Sequence, residues 1–362
     1  MSKKRVVMVD DSVLARAILR EILEGDDDME VVGEAQNAYD AIGVVDALKP
    51  DLVTMDIDMP GPSGLEAIEW LMQKCPVPIL VITSERLGGP SALGFQAIQR
   101  GALDFSPKPA VTDTEATVRL RNLARTLARV PIQARPTQPP PMDLGTRLTE
   151  RAPASPESLV SNAEVVAIAA GIGGPRALSE VIKRLPKDFP SSVVIVQHMP
   201  PRFADGFARF LRGLTAVPVS IVAKGSQPMV PGEIYVCDGS IQPRVPKRGE
   251  LVGDPSPNGK TSADILLTDL AASHGSRAIG VVMSGSGEDG ASGLLAMRAA
   301  GCLTIAERVE TAIPNEMPRA AMKRDAVVRP LSAELIADYL LGTLTVRSAK
   351  TTAPPSELKF NG

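Results

Sequence analysis

Five residues of complementary chemistry stand at the ends of short apolar runs in the first third of the sequence. Asp10 and Asp11 follow VVMV, Asp56 follows LVTM, Thr83 closes ILVIT, and Lys108 lies just past LDFSP. If those runs are strands of one parallel sheet, their C-termini share an edge and the five side chains converge. Three carboxylates brought together repel unless a divalent cation shares them, and hard oxygen donors select Mg²⁺. A carboxylate beside Mg²⁺ can attack a phosphoryl group while a lysine and a hydroxyl hold the transferred oxygens. The spacing therefore predicts a phosphoryl-accepting pocket.

A second set lies in the other half of the chain, on the motifs VVAIAAGIGGP, VVIVQHMPP and IGVVMSGSGEDG. His198 stands where a predicted strand gives way to a loop, and Asp289 lies in a Gly-rich turn before a helix starting near Gly290. A histidine and an aspartate on one sheet edge are two parts of a nucleophile–base–orienter set. A Gly-rich turn before a helix also offers backbone N–H groups to an oxyanion. A dinucleotide-binding reading of Gly171, Gly173 and Gly174 fails, because Arg176 stands where the third glycine belongs.

The elements that must position these residues alternate. Strands are expected at Arg5–Asp10, Asp51–Asp56, Val77–Thr83 and Ala102–Phe105, with a helix from Ser12, its N-cap, to Leu23, and another over Thr114–Arg129. Arg119, Arg121, Arg125 and Arg129 of that last helix read as a solvated face. Proline-rich residues 130–160 read as an extended linker. Strands return at Val165–Ala170, Val193–His198, Ile234–Cys237, Ile279–Ser284 and Leu303–Ala306. This rhythm gives two α/β domains with parallel sheets, followed from 348 to 362 by a polar tail expected to be disordered.

Composition narrows the function classes. A net charge of −3 gives no general pull toward nucleic acid, and the few scattered phenylalanines with one tryptophan form no stacking platform. Three separated cysteines argue against disulfides or zinc and fit a reducing compartment, so a cytoplasmic location is expected. No apolar run is long enough to insert in a membrane. His274, before Gly275, reads as a helix C-terminal partner.

The first 129 residues resemble a response-regulator receiver domain through VVMVDDS, LVTMDIDMP, LVITSE and GALDFSPKP. The resemblance implies a flavodoxin-like parallel sheet, phosphorylation of Asp56, and Mg²⁺ held by Asp10, Asp11 and Asp56 with the Asp58 carbonyl. It also implies a switch formed by Thr83 and Lys108, and a cis Lys108–Pro109 bond. With the linker and the second domain, 161–347, the whole chain resembles the CheB family of chemotaxis methylesterases. This implies a Rossmann-like, mostly parallel α/β catalytic domain without a cofactor. The implied activity is hydrolysis of glutamate methyl esters and deamidation of glutamines on methyl-accepting chemoreceptors, with a chemotaxis histidine kinase as phosphodonor.

The family motifs GASTGG, QHMPP and GxGNDGAxG map the base onto His198, the orienting acid onto Asp289 and the oxyanion loop onto Ile172 and Ser286. The nucleophilic serine maps onto Gly171, which has no side chain. GKTSAD at 259–264 stands where the family reads HRPSVD and keeps Ser262 and Asp264. Two readings follow. In one, the protein is a phosphorylation-activated esterase and amidase whose unphosphorylated receiver covers the catalytic cleft. In the other, it is a catalytically impaired regulator that still takes phosphate and binds receptors. Substitution of the nucleophile by Ser286 and direct activation of water by His198 are the remaining catalytic routes.

Overall fold

The computed structural model describes residues 2–84, 90–109, 113–130, 163–237, 239–256 and 261–350. The expected linker, apart from Val130, and the chain beyond Lys350 lie outside them.

The first unit runs β1 (Lys4–Val9), α1 (Val13–Glu24), β2 (Met29–Ala35), α2 (Ala38–Leu48), β3 (Leu52–Met55), α3 (Gly64–Lys74), β4 (Ile79–Thr83), α4 (Pro90–Arg100), β5 (Asp104–Pro107) and α5 (Thr114–Leu127). Its parallel sheet has the order β2-β1-β3-β4-β5. Ser12 caps α1 as expected, its hydroxyl accepting the Ala15 N–H at 3.2 Å. The sequence reading missed β2, an edge strand whose Glu30 and Glu34 interrupt the unbroken apolar run found in β1, β3 and β4. It also placed β5 two residues early, because Ala102 and Leu103 are buried before the strand begins.

The arginines of α5 are not all solvated. Arg121 donates to the Ile22 carbonyl and to Asp26, and Arg125 bonds Asp26 and Asp28, so they tie α5 to the end of α1. Lys108–Pro109 is trans, and the cis bond among the described residues is Ile313–Pro314.

The second unit runs β6 (Val165–Ala170), α6 (Gly174–Ile182), β7 (Ser192–Gln197), α7 (Ala204–Arg212), β8 (Val219–Ile221), β9 (Gly225–Pro228), β10 (Ile234–Val236), β11 (Ile241–Arg244), β12 (Glu250–Pro255), α8 (Ala263–His274), β13 (Ala278–Val282), α9 (Ala291–Ala299), β14 (Leu303–Glu307), α10 (Glu316–Lys323), β15 (Arg329–Leu331) and α11 (Ala333–Lys350). Seven strands form a parallel sheet in the order β15-β14-β13-β6-β7-β10-β8, and β11-β12-β9 form a small antiparallel sheet. The reading found β6, β7, β10, β13 and β14 of the large sheet and missed its edge strands β8 and β15 and the small sheet. α11 continues three residues past the expected domain end at 347.

In the large sheet β6 is central, flanked by β13 and β7, and all six of its residues are buried. The order along the sheet reverses direction at β6, which places the loops after β6, β7 and β13 around one crevice. The two units pack together through α4 and α7. Phe95 of α4 lies 5.0 Å from Phe210 and 5.5 Å from Phe207, and Phe105 of β5 meets Phe203 edge-on at 5.3 Å. Five of the seven phenylalanines thus gather on one seam, which corrects their description as scattered. The sequence signal was the spacing 203, 207, 210, one face of a helix.

Candidate functional sites

The first site forms where β1, β3, β4 and β5 end. One carboxylate oxygen from each of Asp10, Asp11 and Asp56 lies within 4.8 Å of the others. Lys108 Nζ stands 2.7 Å from Asp10 Oδ2 and 2.6 Å from Asp56 Oδ2. Asp11, Asp56 and Lys108 line a cavity of about 600 Å³ together with Ser12, Asp58 and Ser84, and Asp10 is buried behind them. Thr83 is wholly buried at the end of β4, and its carbonyl accepts the Lys108 N–H at 2.9 Å. All five residues singled out by spacing are therefore brought to one edge.

Electrostatics set the state of this pocket. Desolvation pushes the Asp56 carboxyl up and Asp10 adds to it, outweighing the opposing pull of Lys108. Desolvation disfavours the charged form of Lys108, but its bonds to Asp10 and Asp56 prevail and raise its pKa. Three carboxylates against one ammonium leave an excess of negative charge, which suits a hard divalent cation. The donor set therefore fits Mg²⁺, with Asp10, Asp11 and Asp56 as the residues to hold it.

The second site is built at the ends of β6, β7 and β13. Ala170 pairs with Gln197 across β6 and β7, so the next residues, Gly171 and His198, face each other. Gly171 is pinned on both sides: its N–H donates to the Ser284 carbonyl at 2.8 Å, and its carbonyl accepts Gln197 Nε2 at 2.6 Å. The chain then turns through Gly173 at φ 70°, where a Cβ would lie 1.8 Å from the Ile313 carbonyl, so only glycine fits. A Cβ on Gly171 would meet Gly285 Cα at 3.1 Å, Met317 Sδ at 3.4 Å and Ser286 N at 3.6 Å. Position 171 thus has room for a small side chain at modest crowding, and that side chain would lie beside the Ser286 N–H.

His198 Nε2 and Asp289 Oδ2 are 2.8 Å apart. Asp289 also accepts Ser262 Oγ at 2.9 Å, the Ala263 N–H at 2.6 Å and the Asp264 N–H at 3.1 Å. It is therefore a cap, but of α8 and not of the helix that follows it. Asp264 returns the arrangement by accepting the Gly293 N–H of α9 at 2.7 Å. Two helix N-termini are cross-capped, and His198 hangs from one of the caps. The sequence reading noted Asp264 as retained without seeing this role, since the partner lies 29 residues away.

Desolvation opposes the charge on Asp289, yet His198 and the two backbone N–H groups outweigh it and bring its carboxyl down to about 2. A carboxyl depressed from 3.8 stabilises the fold above its unfolded pKa, and this stability is lost as pH falls from about 4 to 2, roughly 2 kcal/mol in all. Asp289→Ala is expected to cost about 2–4 kcal/mol at pH 7, from the lost cap and the unpaired helix N–H groups, as read by urea unfolding. Most of the difference from the parent should vanish below pH 2. An unchanged midpoint at pH 7 would remove Asp289 from the cap.

Ile172 and Ser286 flank the position of Gly171. Both line a cleft of about 380 Å³ between the units, together with His198 and with Asp104, Phe105 and Asn122 of the first unit. Ile172 also packs against apolar residues of the first unit. His274 is buried at the end of α8 with Nδ1 2.9 Å from Ser273 Oγ, belongs to neither site, and among the described residues makes no hydrogen bond to a carbonyl. Cys75, Cys237 and Cys302 are buried, and none is in a disulfide. No helix among the described residues is long and apolar enough to cross a membrane.

The sequence matches the family described as CheB methylesterase over residues 166–340 and the response regulator receiver domain over residues 6–119. A protein-glutamate methylesterase/protein-glutamine glutaminase of Caulobacter vibrioides is 33% identical over 353 residues, covering 96% of this chain and 100% of its own. One from Salmonella typhimurium is 32% identical, covering 96% and 99%. Among solved structures, the Thermotoga maritima CheB methylesterase catalytic domain is 30% identical over 51% of this chain and 100% of its own, at a TM-score of 0.48.

Proposed function

Since the chain belongs to the CheB methylesterase family as a response regulator with a receiver and a methylesterase domain, we propose that it takes a phosphoryl group on Asp56, that this opens the cleft at His198 and Asp289 to chemoreceptor glutamyl and glutaminyl groups, and that it hydrolyses them far more slowly than a serine-bearing relative. Gly171, with no side chain to attack a carbonyl, carries this reading.

An Asp56 carboxylate oxygen attacks the phosphorus of a phosphohistidine on a chemotaxis histidine kinase. The new P–O bond forms as the P–N bond breaks, and the electron pair leaves on the kinase imidazole. Bound Mg²⁺ would neutralise the phosphoryl oxygens. Lys108 is already placed beside Asp56 to hold one of them. It follows β5 directly and Thr83 pairs with Pro107, so a shift at the pocket passes along β5 to Phe105, which packs on Phe203 beside the cleft.

In the cleft, the Asp289 carboxylate accepts from His198 Nε2–H and leaves Nδ1 free to take a proton. That dyad can polarise a water molecule. Without an attacking side chain there is no acyl intermediate, and the two-step route is closed. Phosphorylated protein incubated with methyl-labelled receptor membranes is therefore expected to bind them while releasing methanol ~10³-fold or more below the rate of a serine-bearing relative. Release as fast as that of a serine-bearing relative under the same conditions would overturn the reading.

A further inference from the structure

Asp10 supplies one of the three carboxylates of the first site, and its backbone is pinned on both sides. Its N–H donates to the Ala35 carbonyl of β2 at 3.1 Å. Its carbonyl accepts Nη1 of Arg16, in the first turn of α1, at 2.7 Å. Its carboxylate Oδ1 accepts the Ser12 N–H at 2.9 Å, and Oδ2 stands 2.7 Å from Lys108 Nζ.

Arg16 is 5% exposed, and its guanidinium is also held from the far side. Its Nε donates to Glu34 Oε2 of β2 at 2.6 Å, and Arg20, one turn further along α1, donates to Glu34 Oε1 at 2.6 Å. Arg20, and Arg16 with it, hold the Glu34 carboxyl below its ordinary range against desolvation, so the anchor stays charged. The guanidinium thus bridges an anion on β2 and a carbonyl at the end of β1, a task for donors set in a rigid fork. Neither Arg16 nor Glu34 lines the cavity, so any effect on its contents passes through Asp10. The Asp10 carbonyl and the Asp11 N–H belong to one peptide plane, and fixing that carbonyl fixes the direction in which the chain leaves for Asp11. The three carboxylate oxygens stay within 4.8 Å of one another only while this plane keeps its orientation.

We propose that Arg16 is a positioning residue for the cation site: through the Asp10 carbonyl it sets the placement of the Asp10 and Asp11 carboxylates relative to Asp56, and Glu34 holds it there. The inference rests on the reading above that this pocket takes a divalent cation. Charge alone gives the opposite sign. A guanidinium near an acidic pocket repels a cation, so removing it would tighten binding if charge were its only influence. Loss of a group that orients the ligands weakens binding.

The test measures the Mn²⁺ affinity of full-length unphosphorylated protein from the electron paramagnetic resonance signal of free Mn²⁺. Arg16→Met keeps the length of the side chain but has no donor, and is expected to weaken binding about tenfold. Arg16→Met combined with Glu34→Gln keeps the net charge of the parent and leaves no unpaired carboxylate on β2, and the same loss is expected. Thermal unfolding identifies the folded variants at the measuring temperature. The double variant, with the ion pair removed as a unit, decides the matter if the single one does not fold. A folded variant that binds Mn²⁺ as tightly as the parent, or more tightly, overturns the proposal and leaves the cation reading intact. A parent that binds no Mn²⁺ overturns both.

Discussion

Gly171→Ser is expected to raise methanol release from methylated receptors by ~10³-fold or more over the parent. In a serine hydrolase, loss of the nucleophile lowers turnover by roughly 10⁶ and leaves about 10³–10⁴ over water from the rest of the site. That remainder is present here. His198 and Asp289 are 2.8 Å apart, Asp289 is locked by the α8 cap, and the Ser286 N–H lies 3.6 Å from where the new Cβ would be. The gain falls short of the full factor because the Cβ would approach Gly285 Cα to 3.1 Å. Crowding of that degree costs about 1–3 kcal/mol when the neighbours cannot move. Met317 Sδ at 3.4 Å can swing aside, whereas the Gly285 backbone is held by the Pro314 carbonyl through its own N–H. The receiver covers the cleft, so the comparison belongs on phosphorylated protein for both chains.

Asp56→Asn is expected to abolish incorporation of label from a phosphodonor. The amide is not a nucleophile toward phosphorus, and the substitution removes one of three carboxylates from the cation site. Asp10 and Asp11 do not take over, because Lys108 bridges Asp10 to Asp56 and orders the pocket around the latter. Misfolding is separable from loss of the acceptor by stability. The Asp56 carboxyl is raised above its unfolded value, mainly by desolvation, so its ionisation opposes folding once the pH exceeds its unfolded pKa. The neutral variant should therefore unfold at the same temperature as the parent or higher at pH 7. Persistent labelling of a folded variant would place the acceptor elsewhere.

The order and type of the residues revealed the convergence of Asp10, Asp11, Asp56, Thr83 and Lys108 because each stands at or just past a strand end, and strand ends are legible as the last letter of an apolar run. His198 was legible for the same reason. The second role of Asp289 was not, since capping α8 depends on a helix reached through a different loop. The bond from the Gly173 N–H to Asp104 Oδ2, 3.2 Å long, was invisible to sequence reading: a single acid beside a phenylalanine carries no spacing signal, and Gly173 belongs to the other domain. β2 and the small antiparallel sheet escaped because exposed edges and short strands lack a long apolar run. The gathering of Phe95 and Phe105 with the phenylalanines of α7 followed from domain packing, of which only the helical spacing at 203, 207 and 210 was on the sequence.

The central claim is that this cleft holds a histidine and its orienting acid but has no side-chain nucleophile for them to activate. Intact-mass analysis after treatment with a serine-directed fluorophosphonate tests it most directly, on the parent, on Gly171→Ser, and on Gly171→Ser combined with His198→Ala. The account predicts one adduct on the single variant, mapped to position 171, and none on the parent or the double variant. An adduct on the parent at Ser286, or labelling of the variant that persists without His198, would contradict it.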